Sequence, residues 1–219
     1  MRMSSRVWGA VLDALAVLSP VDCAGCGSPD RSLCVDCQLE LEPAVTPRTL
    51  PDGSTVFTAL RYEGVVRRTL LALKESGRTD VANPLSASLS AALARAAQPG
   101  AEFLSVPTSR AAWRRRGYDP VALLCKRAGC KPAKVLRSFR TTQSQKTLGA
   151  EERALNLHES MRSRVSLRGR SFILVDDIVT TGATLAEATR AVRAAGGEVV
   201  GHAALAFTPR LFGSSPSIP

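Results

Sequence analysis

The sequence is poor in aromatic residues and in histidine, and each shortage limits the chemistry that the chain can perform. Aromatic residues make up 5% of the 219 residues, so side chains that could stack on nucleic-acid bases are scarce. Nothing in the sequence pairs either histidine, His158 or His202, with a nucleophile. We therefore assign no role to the histidines.

Long uncharged apolar runs are also missing, since none reaches the roughly 18 residues that a transmembrane helix needs. The N-terminal stretch MRMSSRVWGAVLDALAVLSP places basic residues before apolar ones, as a signal peptide does. Asp13 interrupts that stretch, however, and no small-x-small cleavage site follows. Its apolar residues recur at helical spacing and predict an amphipathic helix that packs on the body. We expect a cytoplasmic protein without membrane insertion.

Acidic residues are few relative to basic ones. The chain has 19 Asp and Glu against 29 Lys and Arg, which gives a net charge of +10 and a pI near 10.0. This excess predicts an anionic partner, and nucleic acid, a membrane surface and a phosphorylated metabolite all qualify. Arginines scattered over a solvated surface explain the charge equally well.

Cysteine is concentrated near the N-terminus, in the segment CAGCGSPDRSLCVDC. Its two C-x-x-C pairs are Cys23, Cys26, Cys34 and Cys37. Each pair can direct two thiolates at one ion, and four thiolates leave no open coordination position, so we predict a structural Zn²⁺ site. Two disulfides are the alternative, which a reducing cytosol disfavours. Cys125 and Cys130 stand apart and are predicted to be buried apolar side chains.

Beyond the cysteines, helical and strand patterns alternate along the chain. Strands are predicted at 56–62, 103–106, 135–139, 171–175 and 198–206, and helices at 65–73, 84–97, 120–128 and 184–195. This alternation predicts an α/β fold, with a mainly parallel sheet flanked by helices on both faces. We divide the chain into a helix and zinc module at 1–50, a main domain at 51–210 and a disordered tail at 211–219.

The segment FILVDDIVTTGATL carries the clearest candidate site. Asp176 and Asp177 follow a predicted strand, and a turn and a helix come next. Ligands of such sheets bind beyond the carboxyl ends of the strands, where a helix N-terminus presents free N–H groups. The residues suited to cradle a phosphate there are Thr180, Thr181, Gly182, Ala183 and Thr184. Carboxylates would repel that phosphate but suit sugar hydroxyls or hydrated Mg²⁺, so we predict a sugar-phosphate ligand.

Two other interpretations of this segment are weaker. Two acids after an apolar strand also occur in Walker-B motifs, but the chain has no G-x-x-x-x-G-K-[ST] segment. A helix cap and a turn without a ligand explain one acid and one threonine, but not the cluster.

At these residues the chain resembles the type I phosphoribosyltransferases, whose motif matches ILVDDIVTTGAT throughout. The cysteine module before it narrows the resemblance to ComF-like proteins. LSVPTSRAAWRRRGYD is similar to their pyrophosphate loop, which would contain Val106, Pro107, Arg116 and Gly117. TTQSQKTLGAEERALN resembles a further segment of that family. It is either a loop that closes over the site or an ordinary surface loop that leads to a helix. An early Lys-x-x-Gly also matches, at Lys74 and Gly77.

The resemblance implies an enzyme that binds phosphoribosyl pyrophosphate (PRPP) with Mg²⁺ and transfers the phosphoribosyl group to a nitrogen acceptor in nucleoside metabolism. Asp176 and Asp177 would contact the ribose hydroxyls, and residues 180–184 would hold the 5′-phosphate. Arg116, Lys146 and Arg153 would supply positive charge during transfer. Tyr118-Asp119-Pro120 replaces the usual Phe-Asn-Gln, and Ala112 replaces a common basic residue, which weakens the expected grip on pyrophosphate.

The resemblance also supports an alternative from another class. In it the chain is a non-catalytic accessory factor for DNA uptake in competence and binds single-stranded or double-stranded DNA through its basic surface. A second copy of the chain, in a homodimer, is a further partner to test.

Overall fold

The computed structural model describes residues 21–29, 31–139 and 160–209. Its strands are β1 Thr46–Thr49, β2 Thr55–Arg61, β3 Glu102–Ser105, β4 Leu136–Ser138, β5 Met161–Ser163, β6 Ser171–Val179 and β7 Glu198–Phe207. Five of them form one sheet in the order β1-β2-β7-β6-β3, in which only the β1–β2 pair is antiparallel. The predicted mainly parallel sheet is confirmed.

Six α-helices lie in the described residues. They are α1 Val35–Leu39, α2 Gly64–Glu75, α3 Ala82–Ala96, α4 Arg110–Arg116, α5 Pro120–Arg127 and α6 Ala183–Ala194, and a 3₁₀ turn spans Thr79–Val81. Local signals explain some of their ends. The Asp119 side chain accepts a hydrogen bond from the N–H of Ala122 and caps α5, whose first residue is proline. Among these described helices, none is long and apolar enough to cross a membrane.

Helices cover both faces of the sheet, as predicted, because the central strands are apolar on both sides. In β6, Ile173 and Val175 pack into one core with α2, α3 and α5. Phe172 and Leu174 point the other way, into a second core with α6 and the small antiparallel ribbon β4–β5. Burying each of these large side chains stabilises the fold by roughly 1.5–3 kcal/mol.

The structure differs from the sequence expectation in the length of β6. We predicted that this strand ends at residue 175, but it runs to Val179, and both acids lie within it. Pairing with the ten-residue β7 continues to the end of both strands, where Val179 lies opposite Phe207. The carboxylates therefore come from strand backbone, whose successive side chains point to opposite faces.

The cysteine segment packs directly on the main body. Cys23, Leu33, Cys37 and Leu41 are buried in the same core as α2 and α3. Arg78 donates hydrogen bonds to the backbone carbonyls of Asp22 at 3.0 Å and Ser32 at 3.4 Å. Strand β1 belongs to the sheet, so the predicted boundary at residue 50 lies between two paired strands.

Candidate functional site

The candidate site lies at the carboxyl end of β6, where the two acids face different surroundings. Asp177 is 9% exposed and points toward α2, on the side of Val175. Asp176 is less buried, and one of its oxygens accepts a hydrogen bond from the N–H of Asp177 at 2.8 Å. The adjacent carboxylates thus present two differently oriented groups of acceptors at one sheet edge.

Lys74, at the end of α2, supplies a positive charge that our sequence analysis did not assign to the site. Its Nζ lies 3.1 Å from Oδ1 of Asp177, and both side chains are mostly buried, at 21% and 12% exposed. Burial lowers the pKa of Lys74, but the Asp177 carboxylate outweighs burial and leaves that pKa above its ordinary value. The lysine therefore stays charged. The only signal for it in the sequence was the Lys-x-x-Gly match.

Within the described residues, no basic side chain forms an ion pair with Asp176 as Lys74 does with Asp177, and the pKa of Asp176 is raised. Burial, and then the charge of Asp177, raise the pKa of Asp176 from 3.8 to about 7. A carboxylate with so high a pKa is costly to ionise alone, and it gains from a cation or from hydroxyl donors. The residue is thus suited to a ligand that brings either of these.

The segment from Thr180 to Thr184 joins β6 to α6 and leaves the start of that helix open. Gly182 is the N-cap of α6 and has no side chain to accept a hydrogen bond from the first turn. Its φ of 79° is left-handed, and an added Cβ would lie 2.8 Å from a methyl carbon of Leu50, so glycine suits this position. Thr181 Oγ1 accepts from the N–H of Ala183. A helix N-terminus with open N–H groups favours an anion.

The predicted pyrophosphate-loop residues divide into two groups. Val106 follows β3 and donates its N–H to the carbonyl of Val175 at 3.0 Å, which places it and Pro107 beside the acids. Arg116 ends α4 and is attached to the end of α2 instead. It donates to the carbonyl of Lys74 and forms an ion pair of 3.1 Å with Glu75.

These bonds hold the end of α4 against the segment that carries Lys74. Gly117, next to Arg116, closes α4 with a left-handed φ of 76°. The Tyr118 hydroxyl donates to the carbonyl of Leu73, one residue before Lys74. Arg116 therefore helps to position Lys74 in this structure. Its predicted contact with pyrophosphate stays a prediction. Lys146 and Arg153 lie outside the described residues.

The predicted zinc ligands do come together. The Sγ atoms of Cys23, Cys26, Cys34 and Cys37 all lie within 4.8 Å of one another. Two sulfurs on one tetrahedral zinc ion, each about 2.3 Å from it, are roughly 3.8 Å apart. The Sγ atoms of Cys26 and Cys34 are 3.6 Å apart, and a Cβ on Gly25 would lie 2.5 Å from Cys37 Sγ. The cluster could hold a zinc ion.

The electrostatics of the cluster also suit a cation. Burial and the neighbouring thiols raise the pKa of Cys37 above its ordinary value. Burial likewise raises the pKa of Cys23, but hydrogen bonds from backbone N–H groups outweigh it and lower the pKa to about 6. Four thiolates so close together need a positive ion among them. Cys125 is fully buried in the main core, as predicted, and Cys130 is partly buried.

Comparison with known proteins agrees with this geometry. Residues 114–211 match the phosphoribosyl transferase domain family. The DNA utilization protein YhgH of Escherichia coli is 29% identical over 180 residues, which cover 75% of this chain and 79% of YhgH. The competence protein ComFC of Bacillus subtilis is 27% identical over 175 residues, which cover 77% of this chain and 70% of ComFC.

Solved structures with a similar fold include two phosphoribosyltransferases. The adenine phosphoribosyltransferase of Leishmania tarentolae aligns with a TM-score of 0.40 and 13% identity, over 77% of this chain and 83% of that one. The orotate phosphoribosyltransferase of Mycobacterium tuberculosis aligns with a TM-score of 0.35 and 17% identity, over 78% and 81%.

The parallel sheet, the acid-containing strand and the matched domain define this chain as a protein of the type I phosphoribosyltransferase fold. With a four-cysteine cluster ahead of that domain, the chain is similar to YhgH and ComFC.

Proposed function

We propose that this chain binds PRPP with Mg²⁺ at the carboxyl end of β6 and transfers the phosphoribosyl group to a nitrogen acceptor. The main support is the juxtaposition of Asp176 and Asp177 with an uncapped helix N-terminus, six residues along the chain. One part of that arrangement suits hydroxyl groups or a cation, and the other suits a phosphate. PRPP carries both on one ribose.

In this proposal each part of the site has its own task. Residues 180–184 hold the 5′-phosphate on the N–H groups of α6 and the threonine hydroxyls. Asp176 and Asp177 accept hydrogen bonds from the ribose hydroxyls, and Lys74 holds Asp177 in place. Mg²⁺, when bound with PRPP, offsets charge on the pyrophosphate.

Transfer needs no covalent intermediate with the protein. The bond between ribose C1 and the pyrophosphate oxygen breaks, and its electron pair leaves with pyrophosphate. The acceptor nitrogen then bonds to C1 and loses a proton. Positioning and fixed positive charge provide the catalysis, and Arg116, Lys146 and Arg153 are the residues that the family resemblance assigns to that charge.

Calorimetric titration with PRPP and Mg²⁺ tests the proposal. We expect micromolar binding to the wild-type chain and none to the Asp176→Asn/Asp177→Asn variant. Glu40→Gln/Glu42→Gln is the matched control, because it also removes two carboxylates, both exposed and away from the site. Equal affinity in all three proteins would refute the site.

The second part of the proposal concerns the cysteine cluster. We assign it a structural Zn²⁺ that joins a short segment to the main body. The support is the mutual approach of the four sulfurs and the burial of two of the cysteines in the main core. Metal analysis of the purified chain should give about one zinc per molecule.

DNA handling is the alternative function. YhgH is named a DNA utilization protein and ComFC a competence protein, and the net charge of +10 suits a phosphate backbone. The salt dependence of binding distinguishes the two functions. DNA affinity should fall steeply between 50 and 200 mM salt, roughly a thousand-fold or more for six or more phosphate contacts, and PRPP affinity should fall less.

A further inference from the structure

Helix α4 differs from the longer helices because none of its seven residues is buried. So short a helix is unstable alone, and here Ser109 caps its start, while Arg116 attaches its end to α2. Its one large apolar side chain, Trp113, is 54% exposed. The fold therefore presents an indole ring to solvent without using it in the core, which is typical of a binding surface.

Basic side chains surround this tryptophan. Arg110 and Trp113, one helical turn apart, line a cleft of about 270 Å³ together with Lys134 and Arg137. We call these four residues the Trp113 surface. Within the described parts of the chain, no carboxylate forms an ion pair with its three basic residues. Asp119 lines the same cleft, but one of its oxygens caps α5.

The positive surface continues along the ribbon β4–β5. Arg137 lies opposite Arg162 across the ladder, and both side chains are exposed. Phe139 and Arg164 directly follow the last residues of the two strands. The Arg164 guanidinium lies 5.5 Å from the centre of the Phe139 ring, which is 46% exposed. The other face of the ribbon, with Leu136 and Met161, is buried against α6.

Aromatic residues are scarce in this chain, yet this region contains both of those that are exposed in its described parts, Trp113 and Phe139. Cationic side chains interleaved with exposed rings are the pattern that binds single strands, because phosphates contact the cations while bases stack on the rings. A duplex keeps its bases stacked inside and would leave the rings unused. An acidic protein partner would pair with the arginines, but it would not require an exposed planar ring.

We propose that the Trp113 surface binds single-stranded DNA, with one base stacked on the Trp113 ring and phosphates held by Arg110, Lys134 and Arg137. This inference deepens the DNA-handling alternative above and rests on it. The cleft also includes Pro107 of the predicted pyrophosphate loop, so the bound DNA would lie next to the candidate PRPP site.

Fluorescence anisotropy of a labelled 20-nucleotide oligo(dT), with the full chain in 50 mM salt, tests the surface. We expect Trp113→Ala to lose roughly ten-fold or more in affinity and Trp113→Phe to lose less, because phenylalanine still stacks. Arg137→Ala should weaken binding and lower the slope of log K against log salt by about 0.7. Arg193→Ala is the control, because it removes an exposed arginine in a different cleft.

The possible results distinguish single-strand binding by the Trp113 surface from DNA handling in general and from the transferase activity. Binding that Trp113→Ala and Arg137→Ala leave unchanged would overturn the surface but leave DNA handling in place. No binding of oligo(dT) by the wild-type chain would overturn both the surface and the handling of single strands, whereas PRPP titration would still decide the transferase separately. Equal affinity for a duplex, or full competition by free dTMP at the oligonucleotide's own concentration, would also overturn single-strand binding. Unchanged melting temperatures would exclude misfolding as the cause of any loss.

Discussion

The cysteine cluster and the acid pair both gather negative groups, but they are assembled and balanced differently. The cluster takes all four ligands from residues 23–37, and Arg68 and Arg78 beside it donate hydrogen bonds to backbone carbonyls of that segment. The acid pair has a built-in counterion, Lys74, from a helix 103 positions away in sequence. We infer that the cluster depends on an added ion for stability, whereas the acid site can form without its ligand.

The largest expected effect comes from removing a cysteine ligand. Cys37→Ser should destabilise the fold by several kcal/mol, because it releases the metal and disturbs a segment that shares the main core. Thermal unfolding and zinc content measure this together. Cys130→Ser, outside the cluster, is the control. A Cys37→Ser protein that lost its zinc but melted at the wild-type temperature would contradict a structural role.

Removing Lys74 should have the next largest effect. Lys74→Met leaves the mostly buried Asp177 carboxylate without its ion pair and should cost about 2–3 kcal/mol in free energy of unfolding. Adding Asp177→Asn should recover part of that loss, since the unpaired charge is then gone. Urea denaturation of the four proteins of this cycle gives the coupling energy. Strictly additive losses would show that the pair is not coupled.

The pH dependence of Asp176 gives a third test. Its folded pKa of about 7 lies above the ordinary value of 3.8, so the folded chain holds this proton more tightly than the unfolded chain. The cost of ionising it is absent below about pH 4, grows with rising pH and is complete above about pH 7. Asp176→Asn should therefore be more stable than wild type by about 1–2 kcal/mol at pH 8.

That stabilisation should disappear near pH 4, which urea denaturation at the two pH values can show. Lys74, Asp177 and Asp119 are the charged groups that act on Asp176, and all three are unchanged in the variant. An Asp176→Asn protein less stable than wild type at pH 8 would show that the carboxylate is stabilising when charged.

The smallest effects are expected when one glycine beside the cysteine cluster and one beside the acid pair are each replaced by alanine. Gly25→Ala places a Cβ 2.5 Å from Cys37 Sγ, which the cluster holds in place, whereas Gly182→Ala meets a movable methyl group of Leu50. We expect losses of about 1–2 kcal/mol for each, the second mainly from its positive φ. Gly100→Ala has a similar φ in open space and is the control for strain. Only Gly25→Ala should reduce zinc content.

Much of the fold was predictable because its signals are local. Apolar periodicity located the four long helices and the main strands to within a few residues, with β6 the exception. The elements that we missed are short. β1, with its pattern TPRT, and the three-residue β5 are strands only because partners pair with them. The seven-residue α4 has no buried apolar residue, so it has no apolar periodicity to detect.

The candidate site was predictable only in part, for a related reason. Asp176, Asp177 and the Thr-Thr-Gly loop are contiguous, so their types and order revealed them. Family motifs pointed to Lys74 and Arg116, but they did not predict the hydrogen bond from Arg116 to the backbone carbonyl of Lys74. The exposed ring of Trp113 among arginines was also invisible, because no pattern in a single sequence states which side chains the fold leaves in solvent.

By itself the sequence determined the cysteine spacing, the alternation of helices and strands, the acid-threonine segment and the excess of positive charge. All of these depend on residues close together in the chain. Only the tertiary structure decided that Lys74 pairs with Asp177, that the two acids point to opposite faces of β6, and that Arg116 binds the end of α2. Those contacts join segments far apart in the chain, and packing of the whole sheet and its helices brings them together.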